Sequence, residues 1–257
     1  MMWCQGWRKI GVYGWLLASL FGATATAGEQ PTLTILTELW PPYVMRDDGG
    51  KLVGADLDLA RTVLGQLGYK IDVRVLPWRR VLQEAKLQKG DAILDVFYAA
   101  ERNSWLHYPD EPLSISGEVL FYPVDRPVHL ERTSDLKGLR IGVQVDYAYS
   151  KAFLAEPGVI RVAMTGEGNP IKQLHMMMAG RLDGVVLNER VGRYLLRSQG
   201  LQEQVRNGSF QLTEENRNFL GFTHKPGHDQ LAIRFSAALQ QFKQTPAYKQ
   251  LLARYHL

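Results

Sequence analysis

Cysteine is almost absent from this sequence, in which Cys4 is the only one among 257 residues. Cys4 lies before the cleavage position that the N-terminal pattern predicts, so residues 28–257 contain no thiol. A disulfide framework, a cysteine nucleophile and a cysteine-based metal site are therefore excluded from that part of the chain.

An excess of charge of one sign is also lacking, since 30 lysines and arginines balance 26 aspartates and glutamates to a formal net charge of +4. The cations form no cluster, so we expect no nucleic-acid partner. The sequence has no Gly-x-Ser-x-Gly, Walker A or His-Glu-x-x-His motif. Pro226 and Gly227 separate His224 from His228, which disfavours a metal site on a helix. We expect neither enzymatic activity nor a cofactor or metal ion.

Long hydrophobic runs are absent except at the N-terminus. Arg8 and Lys9 precede an apolar stretch over residues 10–23, and Ala25-Thr26-Ala27 then places small residues where a signal peptidase cuts. This pattern is typical of a signal peptide, and about 14 apolar residues are too few to cross a bilayer, which takes about 20. We predict a signal peptide over residues 1–27, cleaved after Ala27, and export to the periplasm.

Apolar strand patterns alternate with amphipathic helix patterns through the rest of the chain. Strands are predicted over residues 33–36, 71–76, 92–97, 139–145, 159–163 and 184–187. Helices are predicted over residues 56–67, 81–88, 149–155, 171–179 and 189–199. The alternation predicts an α/β fold in which mainly parallel sheets are flanked by helices.

One short pattern occurs in both halves. Residues 87–95 (LQKGDAILD) and 179–188 (AGRLDGVVLN) each combine a helix end, a glycine, an aspartate and an apolar strand that ends in a polar residue. Ligands of open α/β sheets bind beyond the carboxyl ends of the strands. The repeat predicts two α/β lobes that face one cleft, and two domains without a shared site are the alternative.

Four motifs mark the chain from one end to the other. They are GADLDLA at residues 54–60, DAI followed by ER within residues 91–102, DLKGLRIGV at residues 135–143 and TPAYKQL at residues 245–251. Their order and spacing resemble GFDIDLA, DAI with TxxR, DLKGKxVGV and GTYxxL of the family 3 extracellular solute-binding proteins. These are the polar-amino-acid binders of ABC importers, and the resemblance covers essentially all of residues 28–257.

The resemblance implies a type II periplasmic-binding-protein fold with two lobes joined by two hinge crossings. Lobe one would comprise residues 28–119 and 217–257, and lobe two would comprise residues 120–216. A helix near the C-terminus would pack back on lobe one through one apolar face, formed by Leu231, Phe235, Leu239 and Phe242.

The implied function is capture of a small carboxylate, an amino acid or a close analogue, by hinge closure. The monomeric protein would then deliver its ligand to an inner-membrane ABC permease. Two alternatives on the same fold remain open, a ligand-sensing module for a membrane receptor and a periplasmic dehydratase. Sequence features separate these roles poorly because all three share the fold.

The resemblance also implies roles for individual residues. Arg102 matches the arginine that pairs with the ligand's α-carboxylate, and a guanidinium binds a carboxylate bidentately. Trp40 or Tyr43 would cover the ligand with an aromatic ring, and Glu38 matches an acidic position that contacts the ligand side chain. The alternatives are an exposed Arg102 and Glu38, and packing inside lobe one for the two aromatics.

Several positions depart from the family pattern. Asp95 and Tyr98 stand where the family has serine or threonine hydroxyls, and Asp146-Tyr147 stands in place of its second-lobe Gly-Thr loop. Asn188 replaces the aspartate that binds the α-ammonium, and a neutral amide pairs less strongly with a cation. Either Asp95 supplies the missing charge from the other lobe, or the ligand lacks an α-amine. Trp78 also falls near the predicted cleft, where packing is the favoured role.

Overall fold

The computed structural model describes residues 1–3, 30–166, 168–213 and 217–257. The predicted cleavage position after Ala27 and nearly all of the predicted signal peptide lie outside the described residues. Within the described ranges, no helix is both long enough and apolar enough to cross a membrane.

Strands and helices alternate along most of the described chain. The strands are β1 (Thr32–Thr37), β2 (Met45–Arg46), β3 (Leu52–Val53), β4 (Lys70–Val75), β5 (Ala92–Phe97), β6 (Leu106–His107), β7 (Ser114–Ile115), β8 (Glu118–Pro123), β9 (Arg140–Gln144), β10 (Ile160–Met164), β11 (Gly184–Asn188), β12 (Val205–Asn207) and β13 (Arg217–Thr223). The α-helices are α1 (Ala55–Gln66), α2 (Trp78–Lys86), α3 (Lys151–Ala155), α4 (Asn169–Met178), α5 (Glu189–Ser198), α6 (His228–Lys243) and α7 (Pro246–Arg254). The strands and helices predicted from periodicity are present, with ends displaced by a few residues at most.

The described strands form two larger sheets of the same design. The first has the order β4-β1-β5-β13-β6, in which β4, β1 and β5 are parallel and β13 is antiparallel to β5. The second has the order β10-β9-β11-β8-β12, in which β10, β9 and β11 are parallel and β8 is antiparallel to β11. The α/β architecture with mainly parallel strands and flanking helices is therefore confirmed.

The antiparallel strands β8 and β13 differ from the sequence prediction, which contained neither of them. Each is the first strand after the chain passes from one sheet to the other. Strand β8 already pairs with second-sheet strand β11 from Glu118 onward, whereas the predicted boundary follows residue 119. The return passage lies between β12 and β13 and includes residues 214–216, which lie outside the described residues.

The repeated glycine–aspartate pattern has the same structural role in both sheets. The backbone N–H of Thr34 donates to Asp91 Oδ2 at 2.7 Å, and the backbone N–H of Arg140 donates to Asp183 Oδ2 at 2.7 Å. Each aspartate thus caps the start of one strand against its parallel neighbour. The repeat is therefore a local structural feature that links neighbouring parallel strands in each sheet.

Two apolar clusters position the loops between the sheets. In lobe one, Leu231, Phe235, Leu239 and Phe242 of α6 are buried against α1 and the first sheet, as predicted. A second cluster joins both lobes, because Trp40, Tyr43 and Phe97 pack in it with second-lobe residues such as Phe121 and Val185.

Gly54 fixes the backbone beneath the loop that follows β1. Its φ is +143°, and a Cβ added there would lie 2.0 Å from the carbonyl oxygen of Tyr43. Only glycine tolerates both the backbone conformation and the close approach. This requirement explains in structural terms why the GADLDLA motif begins with glycine.

Candidate functional site

The loop after β1 presents Glu38 and Trp40 to the space between the lobes. Trp40 is held by backbone hydrogen bonds with Val44 and by ring contacts to Tyr43 at 5.0 Å and Phe97 at 6.0 Å. Trp40 lines a cavity, whereas Tyr43 is fully buried in the joining cluster. The structure therefore favours Trp40 as the covering ring and gives Tyr43 the packing role that the sequence left as an alternative.

Tyr147 reaches from the loop after β9 into lobe one. Its hydroxyl donates to Glu38 Oε1 at 2.5 Å, and its ring meets the Trp78 ring edge-on at 6.1 Å. Burial and the neighbouring Glu38 charge raise the pKa of Tyr147 well above its usual value. The phenol is therefore protonated at neutral pH and acts as the donor.

Asp146, next to Tyr147, ties the same loop to lobe one. Its backbone carbonyl accepts from Trp78 Nε1 at 3.1 Å and from an Arg102 Nη at 3.4 Å. Its carboxylate accepts from Arg79 Nε at 3.0 Å. The two lobes are thus in direct contact at this loop.

Arg102 lies at the short 3-10 turn after β5 and is only 6% exposed. One Nη donates to the carbonyl of Phe97 at 3.0 Å, and the guanidinium carbon lies 5.9 Å from the centroid of the Trp78 ring. The predicted alternative of an exposed arginine is therefore excluded. These contacts hold the guanidinium at the wall of a large cleft between the lobes.

Described residues line three cavities between the lobes. The inner cavity, about 20 Å³, is lined by Thr37, Glu38, Trp40, Trp78, Leu94, Asp95 and Tyr147. The side cavity, about 190 Å³, is lined in part by Glu38, Trp40, Gln144, Tyr147 and Val191. The outer cleft, about 810 Å³, is lined in part by Tyr98, Arg102, Trp105, Tyr147 and Tyr149. Tyr147 lines all three, whereas Arg102 lines the outer cleft and Asp95 lines the inner cavity.

Asp95 forms the floor of the inner cavity with a left-handed backbone, φ +62°. It is 7% exposed, and neither carboxylate oxygen receives a hydrogen bond from an N–H or hydroxyl group of the described residues. Burial, reinforced by the adjacent carboxyl of Asp56, raises the pKa of Asp95 well above its usual value. A cationic group entering the inner cavity would meet a carboxyl whose neighbour among the described residues is another carboxyl, that of Asp56.

Glu118 is another buried carboxyl, close enough to Glu38 and Tyr147 for their charges to interact. It is 1% exposed at the start of β8, and burial together with the Glu38 charge raises its pKa to about 8. Its charge in turn contributes to the raised pKa values of Tyr147 and Tyr149. The contact region between the lobes is therefore acidic in composition, with carboxyls contributed by both sheets.

Asn188 has structural contacts rather than a place at a cavity. Its Oδ1 caps α5 by accepting from the backbone N–H groups of Arg190 and Val191, and it also accepts from Ser116 Oγ at 2.9 Å. Its Nδ2 donates to the carbonyl of Ser116 at 3.0 Å. In the described part of the chain Asn188 lines none of the three cavities, so the structure does not bring it to the other predicted site residues.

Tyr98 borders the outer cleft at 37% exposure, where its ring contacts Tyr108 at 5.3 Å. Its hydroxyl accepts a hydrogen bond from Asn103 Nδ2 at 2.9 Å. Tyr98 and Arg102 therefore line the outer cleft together with Tyr147, while Glu38, Trp40 and Asp95 line the inner cavity with it.

Sequence reasoning gave no site role to Asp56, Glu118 or Asp146. Asp56 lies inside the GADLDLA motif, so its position was visible but its contact with Asp95 depends on packing. Glu118 is a lone acidic residue directly before an apolar run, and this is the one sequence feature that could have indicated a buried carboxyl there. Among the described residues, no group of three or more histidine, cysteine, aspartate or glutamate side chains is arranged to hold a metal ion.

The sequence is similar to a known protein family and to several of its characterised members. The profile of the bacterial extracellular solute-binding proteins, family 3, matches residues 33–257. The L-arginine-binding protein of Pseudomonas aeruginosa is 23% identical over 262 residues, covering 96% of this chain and 96% of that protein. The L-cystine-binding protein TcyJ of Escherichia coli K12 is 22% identical over 161 residues, covering 62% of this chain and 60% of that protein.

Solved structures share the fold. An ancestral arginine-binding protein bound to arginine has a TM-score of 0.73 at 21% identity, covering 88% of this chain and 98% of its own. A histidine kinase sensor domain with similarity to periplasmic binding proteins has a TM-score of 0.75 at 21% identity, covering 88% of this chain and 96% of its own. At this identity the likeness establishes the two-lobed architecture.

Proposed function

This chain belongs to the bacterial extracellular solute-binding proteins of family 3, and we propose that it captures an amino acid between its lobes in the periplasm. The monomer then delivers its ligand to an inner-membrane ABC permease. A ligand that contacts both lobes favours the closed form by its differential affinity for the closed over the open state.

Arg102 and Asp95 are the two side chains that bind the charged groups common to all amino acids. The Arg102 guanidinium, fixed by the Phe97 carbonyl and the Trp78 ring, binds the α-carboxylate through its planar pair of donors. Asp95 binds the α-ammonium and replaces the charge that Asn188 lacks. The observation behind this assignment is the buried Asp95 carboxyl on the inner cavity, which receives no hydrogen bond from a described N–H group and contacts only another carboxyl, that of Asp56.

The acidic surroundings favour a ligand with more than one cationic group. Glu38 borders the inner and side cavities, and Trp40 offers a ring face beside it. Carboxylates and aromatic faces both attract cations in a water-poor site. Amino acids with basic side chains are therefore the first candidates, in line with the arginine-binding relative.

A sensory role is the second candidate, and the likeness to a histidine kinase sensor domain favours it. The same capture step would then present the closed form to a membrane receptor instead of a permease. The two roles are separated by the partner that the liganded protein binds. An enzymatic role is not part of the proposal, since the family consists of binding proteins.

A thermal-shift panel tests the ligand class. The protein is recovered after export from its full coding sequence, refolded to remove bound ligand, and heated with amino acids and their deaminated acids. A ligand at about 1,000 times its dissociation constant stabilises by about 4.1 kcal/mol, which is a shift of roughly 8–16 °C for a chain of this size.

Arg102→Ala should abolish the shift, whereas Arg193→Ala should retain it. Arg193, an exposed residue of α5 that pairs with Glu189, provides the control in which one arginine is removed away from the cavities. Shifts from deaminated acids alone would contradict the assignment of the α-ammonium to Asp95. No shift from any carboxylate would overturn the proposed function.

A further inference from the structure

Tyr147 divides the predicted ligand contacts into two groups. Arg102 and Tyr98 border the outer cleft, whereas Glu38, Trp40 and Asp95 border the inner cavity, and Tyr147 lines both. The inner cavity, about 20 Å³, has no room for an amino acid while the Tyr147 ring is in place. One ligand therefore cannot touch Arg102 and Asp95 together unless the ring moves.

The position of the ring is strongly specified. Its hydroxyl donates to Glu38 at 2.5 Å and its edge contacts Trp78. The preceding residue, Asp146, adopts a left-handed φ of +65° and is held by Trp78, Arg79 and Arg102. A phenol donating to a carboxylate is a charge-assisted hydrogen bond, stronger than a neutral one. Tyr147 thus closes the two lobes on each other through the protein's own side chains.

We propose that Tyr147 is a displaceable plug that determines which ligands the closed protein retains. The inference rests on the proposed function, because it concerns a ligand that spans Arg102 and Asp95. Such a ligand displaces the Tyr147 ring, and Glu38 loses the phenol as a donor. The ligands retained best carry a cationic group that replaces the phenol at Glu38.

The plug acts as an internal competitor for Glu38 and the inner cavity. A ligand that displaces the ring breaks the hydrogen bond between the Tyr147 phenol and Glu38. The free energy of that bond is subtracted from the ligand's own binding free energy, so the measured affinity is lower than the ligand's contacts alone would give. A carboxylate without an amine gains nothing from Asp95 or Glu38 and binds Arg102 from the outer cleft. Its affinity is independent of the Tyr147 hydroxyl.

Tyr147→Phe removes the hydroxyl and keeps the ring. We expect the affinity for L-lysine to rise by roughly 10–100-fold, which is what one hydrogen bond to a charged group contributes. We expect the affinity for hexanoate, which is L-lysine without either amine, to stay unchanged. Tyr194→Phe on α5 is the matched control, because Tyr194 packs in the joining cluster and borders none of the three cavities.

Isothermal titration calorimetry of the wild type and both variants with L-lysine and with hexanoate tests these expected affinities. Equal L-lysine affinities for the wild type and Tyr147→Phe would overturn the plug and leave the proposed function intact. A tenfold gain for hexanoate as well would also overturn it, because the ring would then oppose every ligand alike. Absence of amino-acid binding in the wild type would instead overturn the proposed function.

A ligand-free measurement tests the plug independently. Spin labels at Ala237→Cys on α6 and Gln202→Cys before β12, both exposed positions on different lobes, report the separation of the lobes. The full chain carries Cys4→Ser, so that the introduced cysteines are its only thiols. We expect Tyr147→Phe to shift the ligand-free distance distribution toward longer distances. An unchanged distribution would overturn the plug whatever the ligand proves to be.

Discussion

The carboxyl groups of Asp56 and Asp95 contact each other in the interior of lobe one. Asp56 lies in the first turn of α1 and accepts from Ser114 Oγ at 2.6 Å, and Asp95 lies in β5. Burial raises the pKa of both carboxyls. Two buried carboxyls in contact do not both ionise readily, so the pair retains a proton until a cation arrives. We expect the ammonium of the proposed ligand to take the place of that proton at Asp95.

Asp95→Asn should weaken amino-acid binding without destabilising the fold. The amide loses the charged hydrogen bond to the ammonium, which lowers affinity by about 1.5–3 kcal/mol, or roughly 10–100-fold. The backbone tolerates the change, because asparagine adopts the left-handed φ of this position readily. Removing a buried acid also relieves its desolvation, so the free energy of unfolding at pH 7 should not fall.

Titration calorimetry and urea unfolding of Asp95→Asn check both expectations. Asp72 is an exposed residue of β4, so Asp72→Asn is the matched control. It should change neither the ligand affinity nor the free energy of unfolding. Retention of wild-type affinity for amino acids by Asp95→Asn would remove Asp95 from the proposed site.

Glu118 should make the folded state less stable as the pH rises. Its pKa is raised from 4.5 to about 8 by burial and by the Glu38 charge. Between these values the folded state holds a proton that the unfolded state has lost, so the free energy of unfolding falls with increasing pH. The loss between about pH 5 and pH 8 is roughly 3 kcal/mol.

Glu118→Gln should remove this part of the pH dependence. The variant is expected to be more stable than the wild type at pH 8 and closer to it at pH 5, as measured by urea unfolding across that range. Glu203→Gln, at an exposed position, is the control and should follow the wild type. Parallel curves for Glu118→Gln and the wild type would show that Glu118 is ionised in both states.

Asn188→Ala should lower stability more than ligand affinity. Loss of a helix cap costs about 0.5–2 kcal/mol, and the partners of Asn188 at Ser116 would lose their hydrogen bonds as well. Asn188→Asp keeps the capping acceptor and should be less destabilised. A large loss of affinity with little change in the free energy of unfolding would instead restore Asn188 to the ligand contacts predicted from sequence.

Periodicity was sufficient for the helices and parallel strands because those elements are specified locally. The face of α6 formed by Leu231, Phe235, Leu239 and Phe242 is visible as helical spacing and is buried as expected. Strands β8 and β13 were not visible in the same way. Their pairing partners, β11 and β5, are distant in sequence, and their antiparallel direction follows from the passages between the sheets.

The residues predicted for the site divide into those that line a cavity and those that pack elsewhere. Glu38, Trp40, Asp95, Arg102 and Tyr147 all lie at the cavities between the lobes. Tyr43 and Asn188 do not, since Tyr43 packs behind Trp40 and Asn188 caps α5. A motif position identifies a place in the fold, but it does not specify whether the side chain there points into a cavity or into the core.

By itself, the sequence determined the family, the α/β class, the order of the main elements and the arginine that faces the cleft, because each depends on local pattern or on motif order. Only the tertiary structure decided that Asp56 meets Asp95 and that Tyr147 reaches Glu38 across the lobes. Those relationships join side chains from separate elements, and their pKa values depend on burial. Neither contact nor burial exists until the chain has folded.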